Sequence, residues 1–141
     1  MNKTILIPIV FLLLCSCSSK PSSSFMSAEV RDPMFQSDEA NSRVGLHLTV
    51  EEVVSPLIEK VEGRWTKLSG TEWILTFNET DKVTNAKTET KLVFERPADK
   101  GGDVVFTQLV VNGQDAGALA IGFLMRQAKD ARDQKAGAER R

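Results

Sequence analysis

The chain has 141 residues, of which 41% are hydrophobic and 26% are charged, and its formal net charge at pH 7 is −1. This length is sufficient for one domain with its own hydrophobic core. The charge balance lacks the basic surplus of nucleic-acid-binding domains, so nucleic acid is not an expected partner. The single histidine, His47, stands apart from the two cysteines, and no metal site or non-covalent cofactor is predicted.

The first residues carry the pattern of an export signal. Lys3 precedes the ten-residue apolar segment 5–14, and polar residues follow from Ser16. A transmembrane helix requires about 20 apolar residues, so this segment is too short to span a membrane. We predict that residues 1–16 are a signal peptide that is removed.

The tetrapeptide Leu14-Cys15-Ser16-Cys17 resembles the lipobox of bacterial lipoprotein precursors. This resemblance covers only the first 17 residues, and it implies cleavage between Ser16 and Cys17, with diacylglycerol and an N-acyl chain attached to Cys17. Ser16 is small, as the position before the lipidated cysteine requires, whereas Leu14 before Cys15 is too large. A disulfide between the two cysteines is disfavoured, because side chains two residues apart rarely reach disulfide geometry.

The resemblance also implies a location. In lipoproteins of Gram-negative type, an aspartate after the lipidated cysteine tends to retain the protein at the inner membrane, and here that position is Ser18. The implied location is therefore the outer membrane, facing the periplasm. In a Gram-positive cell the same motif implies an outward-facing plasma-membrane anchor. Two or three acyl chains anchor stably, since each buried methylene contributes about 0.8 kcal/mol.

Residues 17–44 are predicted to be the lipidated cysteine followed by a flexible, serine-rich tether. Their composition is polar, with prolines and scattered charges and no helical or strand period, and it cannot bury enough apolar surface to fold. Such a chain has a reach of about 30 Å. Two apolar pairs, Phe25-Met26 and Met34-Phe35, could dock on the domain or on a partner, but loosely ordered linker residues are the favoured interpretation.

A helix is predicted over residues 48–63, at the start of a single domain that extends over residues 45–134. Its apolar residues recur at helical spacing and are Val50, Val53, Val54, Leu57, Ile58 and Val61. Thr49 followed by Glu52 fits a capping box. Pro56 predicts a kink, or a break into two short helices.

From residue 64 the apolar pattern changes to a period of two, which predicts four β-strands. Their sequences are RWTKLS, EWILTFN, TETKLVFER and DVVFTQLVV. The short connections favour an antiparallel meander. The fourth strand is apolar on both faces, with Val104, Phe106 and Val110 predicted to share one of them, and is expected to be central or covered by a helix.

The C-terminal residues permit two interpretations. Asn112-Gly113 is a hairpin signal, which would make residues 118–125 a fifth strand of a small β-barrel-like domain. Asp115 is instead a good N-cap before strong helix formers, and we favour a helix over residues 116–134. Residues 135–141 are expected to form a frayed basic tail in weak contact with anionic lipid or cell wall. The predicted class is α+β, with an N-terminal helix, a four-stranded antiparallel meander and a C-terminal helix.

The motifs that carry catalysis in other proteins are not apparent. The sequence has no G-x-S-x-G, H-E-x-x-H or Walker-type glycine loop, and we predict neither catalytic residues nor an enzyme. Gly63-Arg64-Trp65 resembles the G-x-W element of lipocalins, which implies a carrier of small apolar ligands or lipid. The candidate aromatic contacts, for which a plain core role is favoured, are Trp65, Trp73, Phe77, Phe94 and Phe106.

The anchor, the tether and the lack of catalytic motifs lead to one functional hypothesis. The protein is expected to be a membrane-anchored envelope lipoprotein that acts as a non-enzymatic protein-binding or assembly accessory factor, with another envelope protein as its partner. The lipocalin-like carrier is the alternative.

Overall fold

The computed structural model describes residues 20–31, 46–98 and 102–141. The predicted signal peptide, Ser16, Cys17 and the Met34-Phe35 pair all lie outside these residues. The helices are α1 (Ser23–Met26), α2 (Val50–Ile58) and α3 (Ala118–Glu139). The strands are β1 (Val30–Arg31), β2 (Gly63–Lys67), β3 (Glu72–Thr80), β4 (Lys87–Glu95), β5 (Val104–Val111) and β6 (Gln114–Asp115).

The strands form one open, mixed sheet in the order β1-β5-β4-β3-β2, with β6 also paired to β5. Strands β2 to β5 pair antiparallel with their neighbours in sequence, whereas β1 pairs parallel to β5. The α+β class is confirmed. The sheet differs from the four-stranded meander because two short strands, β1 and β6, lie along one edge of β5.

One face of the sheet carries the hydrophobic core. Alternate residues of a strand point to opposite faces, and the register aligns the core-facing ones in rows across the sheet. One row consists of Trp65, Leu75, Leu92 and Leu109, and the next contains Trp73, Phe94 and Phe106, all of them buried. The two long helices cover this face and leave the other face open.

A β-bulge decides which residues of β5 face the core. The register between β4 and β5 shifts beside Val93, which leaves Thr107 without a paired residue. The Thr107 hydroxyl donates to the Val93 carbonyl oxygen at 3.2 Å. Leu109 is therefore buried on the same face as Phe106, where strict alternation had predicted Val110.

Helix α2 begins where the sequence predicts and ends earlier than the predicted residue 63. Thr49 is the N-cap and forms a capping box with Glu52. The helix continues through Pro56 and ends at Ile58, two residues later, so it does not reach residue 63. Pro56 has no N–H to donate to the Glu52 carbonyl oxygen one turn earlier, and the helix ends soon after this lost bond.

The C-terminal segment is one helix, so the fifth strand over 118–125 and the barrel-like alternative are wrong. Helix α3 buries Ile121, Met125 and Ala128 and extends to Glu139, beyond the predicted end at 134 and through most of the predicted frayed tail. Its N-cap is Gly117, with φ of 83°. Asp115, which we had predicted as the N-cap, lies two residues before Gly117. Its carboxylate accepts from the Gly117 N–H at 2.8 Å, and this bond lowers the pKa of that carboxyl. None of the helices among the described residues is both long enough and apolar enough to cross a membrane.

Part of the expected tether belongs to the folded domain. Ser22 caps α1 by accepting from the Phe25 N–H at 3.3 Å, and Phe25 is buried against the sheet. Strand β1 then pairs with the start of β5 through Val30. Residues 22–31 are therefore structural, and the domain begins about 20 residues before the predicted boundary at 45.

A side chain at Gly63 would require the ends of two neighbouring side chains to shift. A β-carbon there would lie 2.9 Å from both Ile58 Cγ2 and Leu75 Cδ1. We expect Gly63→Ala to lower the free energy of unfolding by about 1–3 kcal/mol, as overpacking usually does, measured by urea denaturation. Gly70→Ala is the matched control, because a β-carbon at Gly70 meets nothing within 4 Å. Equal stability of the two variants would contradict this account of Gly63.

Candidate functional site

The open face of the sheet contains a cavity lined by polar side chains next to strand β2. The cavity has a volume of about 490 Å³, and its lining residues are Glu62, Arg64, Thr66, Thr76, Asn78 and Glu89. The register explains the cluster, since Arg64 pairs with Thr76 and Asn78 pairs with Glu89. Alternate residues of three adjacent strands thus place these polar groups on one surface.

Most of these polar groups have no protein partner. In the part of the chain that the structure describes, no hydrogen bond or ion pair holds the side chains of Glu62, Arg64, Thr66, Thr76 or Asn78. Glu89 differs, because Lys91 Nζ lies 3.1 Å from its Oε1. The cavity therefore presents a guanidinium, an amide, two hydroxyls and a carboxylate to a ligand.

The same strand, β2, has an unpaired backbone edge. The Leu68 N–H donates to the Glu72 carbonyl oxygen at 2.9 Å, and bonded pairs alternate along an antiparallel ladder. The N–H and C=O groups of Gly63, Trp65 and Lys67 consequently point away from β3. No backbone hydrogen bond from another described residue reaches them. A row of free donors and acceptors next to a polar cavity is the arrangement that an added β-strand requires.

A second cavity, between α2 and α3, differs because its arginine already has partners within the protein. It also has a volume of about 490 Å³, and its charged lining residues are Glu51, Glu52, Glu59, Arg132 and Lys135. Arg132 NH1 donates to the His47 carbonyl oxygen at 3.0 Å and lies 3.7 Å from Glu52 Oε2. Lys129, hydrogen-bonded to Asp133 at 2.6 Å, lowers the pKa of the Asp133 carboxyl. The Arg132–Glu52 contact joins α3 to α2, whereas Lys129 and Asp133 both belong to α3.

His47 is not among the residues that line the polar cavity, and one carboxylate lies beside it. Its Nδ1 lies 3.1 Å from Glu29 Oε1, and both side chains are substantially exposed. In the described ranges, no group of three or more His, Cys, Asp or Glu residues could hold a metal ion. His47 therefore makes a hydrogen bond to the Glu29 carboxylate at the surface.

The aromatic residues considered as ligand contacts form the core instead. Trp65, Trp73, Phe77, Phe94 and Phe106 are all buried. Trp65 and Trp73 meet edge to face with 6.5 Å between ring centroids, and Phe94 and Phe106 lie 4.8 Å apart. The sheet that carries them is open, so the closed barrel implied by the lipocalin resemblance is wrong. The predicted lipidation site, Cys17, lies outside the described residues.

The polar cavity was missed in the sequence, although a signal for it was present. Arg64 and Thr66 alternate with core residues of β2, and Thr76 and Asn78 do the same in β3. Alternation predicts that each pair shares the outer face, but only the register between the strands brings the pairs together. No protein-family model, curated protein or solved structure matches this chain.

Proposed function

We propose that this protein is a lipid-anchored envelope lipoprotein whose domain binds another envelope protein without catalysing a reaction. The lipobox supports attachment at Cys17, and Ser18 supports the outer membrane with the domain facing the periplasm. In a Gram-positive cell the anchor would hold the domain outside the plasma membrane. The role that follows is that of an accessory or assembly factor.

The observation that carries the binding function is the free edge of β2. Three alternate residues, Gly63, Trp65 and Lys67, point their backbone donors and acceptors away from β3, as the register with β3 requires. Natural proteins usually cover or shorten such edges, because an exposed edge recruits other strands. An extended segment of a partner would add to the sheet as a new strand beside β2.

The polar cavity gives this mode of binding its specificity. Main-chain hydrogen bonds to a sheet edge are independent of sequence, whereas alternate side chains of the added strand enter neighbouring pockets. Side chains on the outer face would meet Arg64 and Thr66. A partner segment with an acidic or hydroxyl side chain opposite Arg64 fits this surface best, because the guanidinium has no carboxylate partner among the described residues.

Lys67→Pro tests strand addition directly. The Lys67 N–H points away from β3, so proline removes a donor from the edge without breaking a bond inside the sheet. We expect crosslinked partner recovered from envelopes to fall by about tenfold or more, because a lost interface hydrogen bond costs about 1 kcal/mol and the ring obstructs the incoming strand.

Lys67→Ala is the matched control. Both variants lose the contact of Lys67 Nζ with the Trp73 ring, which is 5.7 Å to the centroid, but only proline removes the N–H. Equal thermal unfolding midpoints for the two variants would establish that both fold. If the alanine variant lost the partner as completely as the proline variant, strand addition would be excluded and a side-chain contact would replace it.

A further inference from the structure

The distance between the predicted anchor and the folded domain is short. Three residues, 18–20, separate Cys17 from Pro21, and Pro21 is already buried. Four Cα–Cα steps span at most about 14 Å. The tether of about 30 Å that the composition suggested therefore does not exist between the anchor and the fold, and the part of the domain around Pro21 must stay near the lipid.

The contacts of α1, which follows Pro21, identify which end of the sheet lies near the lipid. Phe25 packs against Trp73 near the start of β3, with ring centroids 6.1 Å apart. Arg96, directly after β4, donates through NH2 to the Ser24 carbonyl oxygen at 2.8 Å and through Nε to the Gly102 carbonyl oxygen at 2.9 Å. Segment α1 thus lies at the end of the sheet where β2 and β4 finish and β3 and β5 begin.

The turn between β2 and β3 lies at this same end and exposes an apolar side chain. The backbone N–H of Arg96 donates to the Thr71 carbonyl oxygen at 2.8 Å, which ties the turn to the Arg96 region. Leu68, the first residue of the turn, is 61% exposed. Lys67 directly precedes it and carries positive charge on a long apolar stem, and Glu72, whose carbonyl oxygen accepts from the Leu68 N–H, adds a negative charge at the same end. An exposed leucine beside a long-stemmed lysine is suited to the headgroup region of a bilayer.

We propose that this end of the domain lies against the bilayer that holds the acyl chains, with Leu68 inserted among the lipid headgroups. The proposal rests on acylation of Cys17 in the proposed function. In this orientation strand β2 runs away from the membrane, from Lys67 at the lipid surface to Gly63 and the polar cavity farther out. The free edge then faces sideways, where an envelope protein can approach.

A pair of single-cysteine variants tests the orientation in the full acylated protein. The mature chain has no cysteine besides Cys17, so Leu68→Cys and Val83→Cys each introduce one free thiol for an environment-sensitive fluorophore. Val83 is the matched control because it is also an apolar residue in a hairpin turn, is 91% exposed, and lies at the opposite end of the sheet, between Thr80 and Lys87.

The labelled proteins are reconstituted into vesicles of phosphatidylethanolamine and phosphatidylglycerol that contain a nitroxide-bearing lipid. We expect quenching at position 68 to exceed quenching at position 83 about threefold, because interfacial insertion places a side chain about 5–10 Å into the headgroup region. Equal quenching, or stronger quenching at position 83, overturns the orientation.

Two further outcomes separate this proposal from the proposed function. If mass spectrometry finds no acyl group on the purified protein, the anchor fails and the orientation fails with it. If acylated protein shows a protected label at position 68 in native envelopes but not in protein-free vesicles, a protein and not lipid covers Leu68. That result overturns the lipid contact and leaves the anchor intact.

Discussion

Phe25→Ala should lower the free energy of unfolding of the domain by about 3–5 kcal/mol, the range typical of a phenylalanine removed from a core. Phe25 is 4% exposed. Its ring meets Trp65 edge to face with 6.5 Å between centroids and lies 6.1 Å from Trp73. Alanine would leave a cavity between two tryptophans. Arg96, whose guanidinium carbon lies 5.8 Å from the ring centroid, would lose its apolar support.

Urea denaturation of the chain without residues 1–17, followed by tryptophan fluorescence, measures this effect. Phe123→Ala is the matched control, because Phe123 is 71% exposed on α3 and its truncation should change stability by about 0.5 kcal/mol or less. A variant at position 25 as stable as the control would mean that α1 is not part of the folded unit, as the composition of residues 17–44 had suggested.

Cys17→Ala should abolish acyl labelling and move the protein from the membrane fraction to the soluble fraction. Each buried methylene of an acyl chain contributes about 0.8 kcal/mol, and stable anchoring takes two chains or an additional membrane signal. Leu68 alone cannot replace them, since full burial of a leucine contributes about 1.5–3 kcal/mol. Incorporation of labelled palmitate and fractionation of cell membranes measure the two effects.

The other cysteine supplies the control for this experiment. Cys15→Ala should leave acylation and membrane attachment intact, because in the proposed lipobox Cys15 would be the second residue before the cleavage site and would be removed with the signal. Labelling that was lost with Cys15 and retained with Cys17→Ala would show that Leu14-Cys15-Ser16-Cys17 is not the lipobox we infer.

If Cys17 is acylated as we propose, the short connection and the docked α1 segment would give the anchor a mechanical role. A flexible tether leaves a domain free to rotate, whereas a reach of at most about 14 Å restricts the orientations of a domain held through Phe25. The free edge of β2 would then be presented to partners at a fixed height above the lipid. This restriction reduces the orientational freedom that binding must remove.

Local sequence patterns were sufficient to predict the elements whose stabilising contacts join residues close in sequence. The capping box between Thr49 and Glu52 joins residues three positions apart, so the start of α2 is visible without the fold. The alternation in β2 to β4 identifies which side chains are buried, because the pleat alone separates the two faces. The aromatic residues from Trp65 to Phe106 were accordingly expected in the core, and they lie there.

The sequence by itself indicated helices α2 and α3, the four long strands and the inward faces of three of those strands, since each depends on spacing along the chain. Only the tertiary structure decided that Phe25 docks between Trp65 and Trp73, that β1 pairs parallel to β5, and that the bulge turns Leu109 inward. These features depend on residues up to about 75 positions apart, whose partners no local pattern specifies. The candidate site also depends on the tertiary structure. Strand β2 is an edge only because of the strand order of the whole sheet, and the polar residues beside it form a cavity only because of the register between the strands.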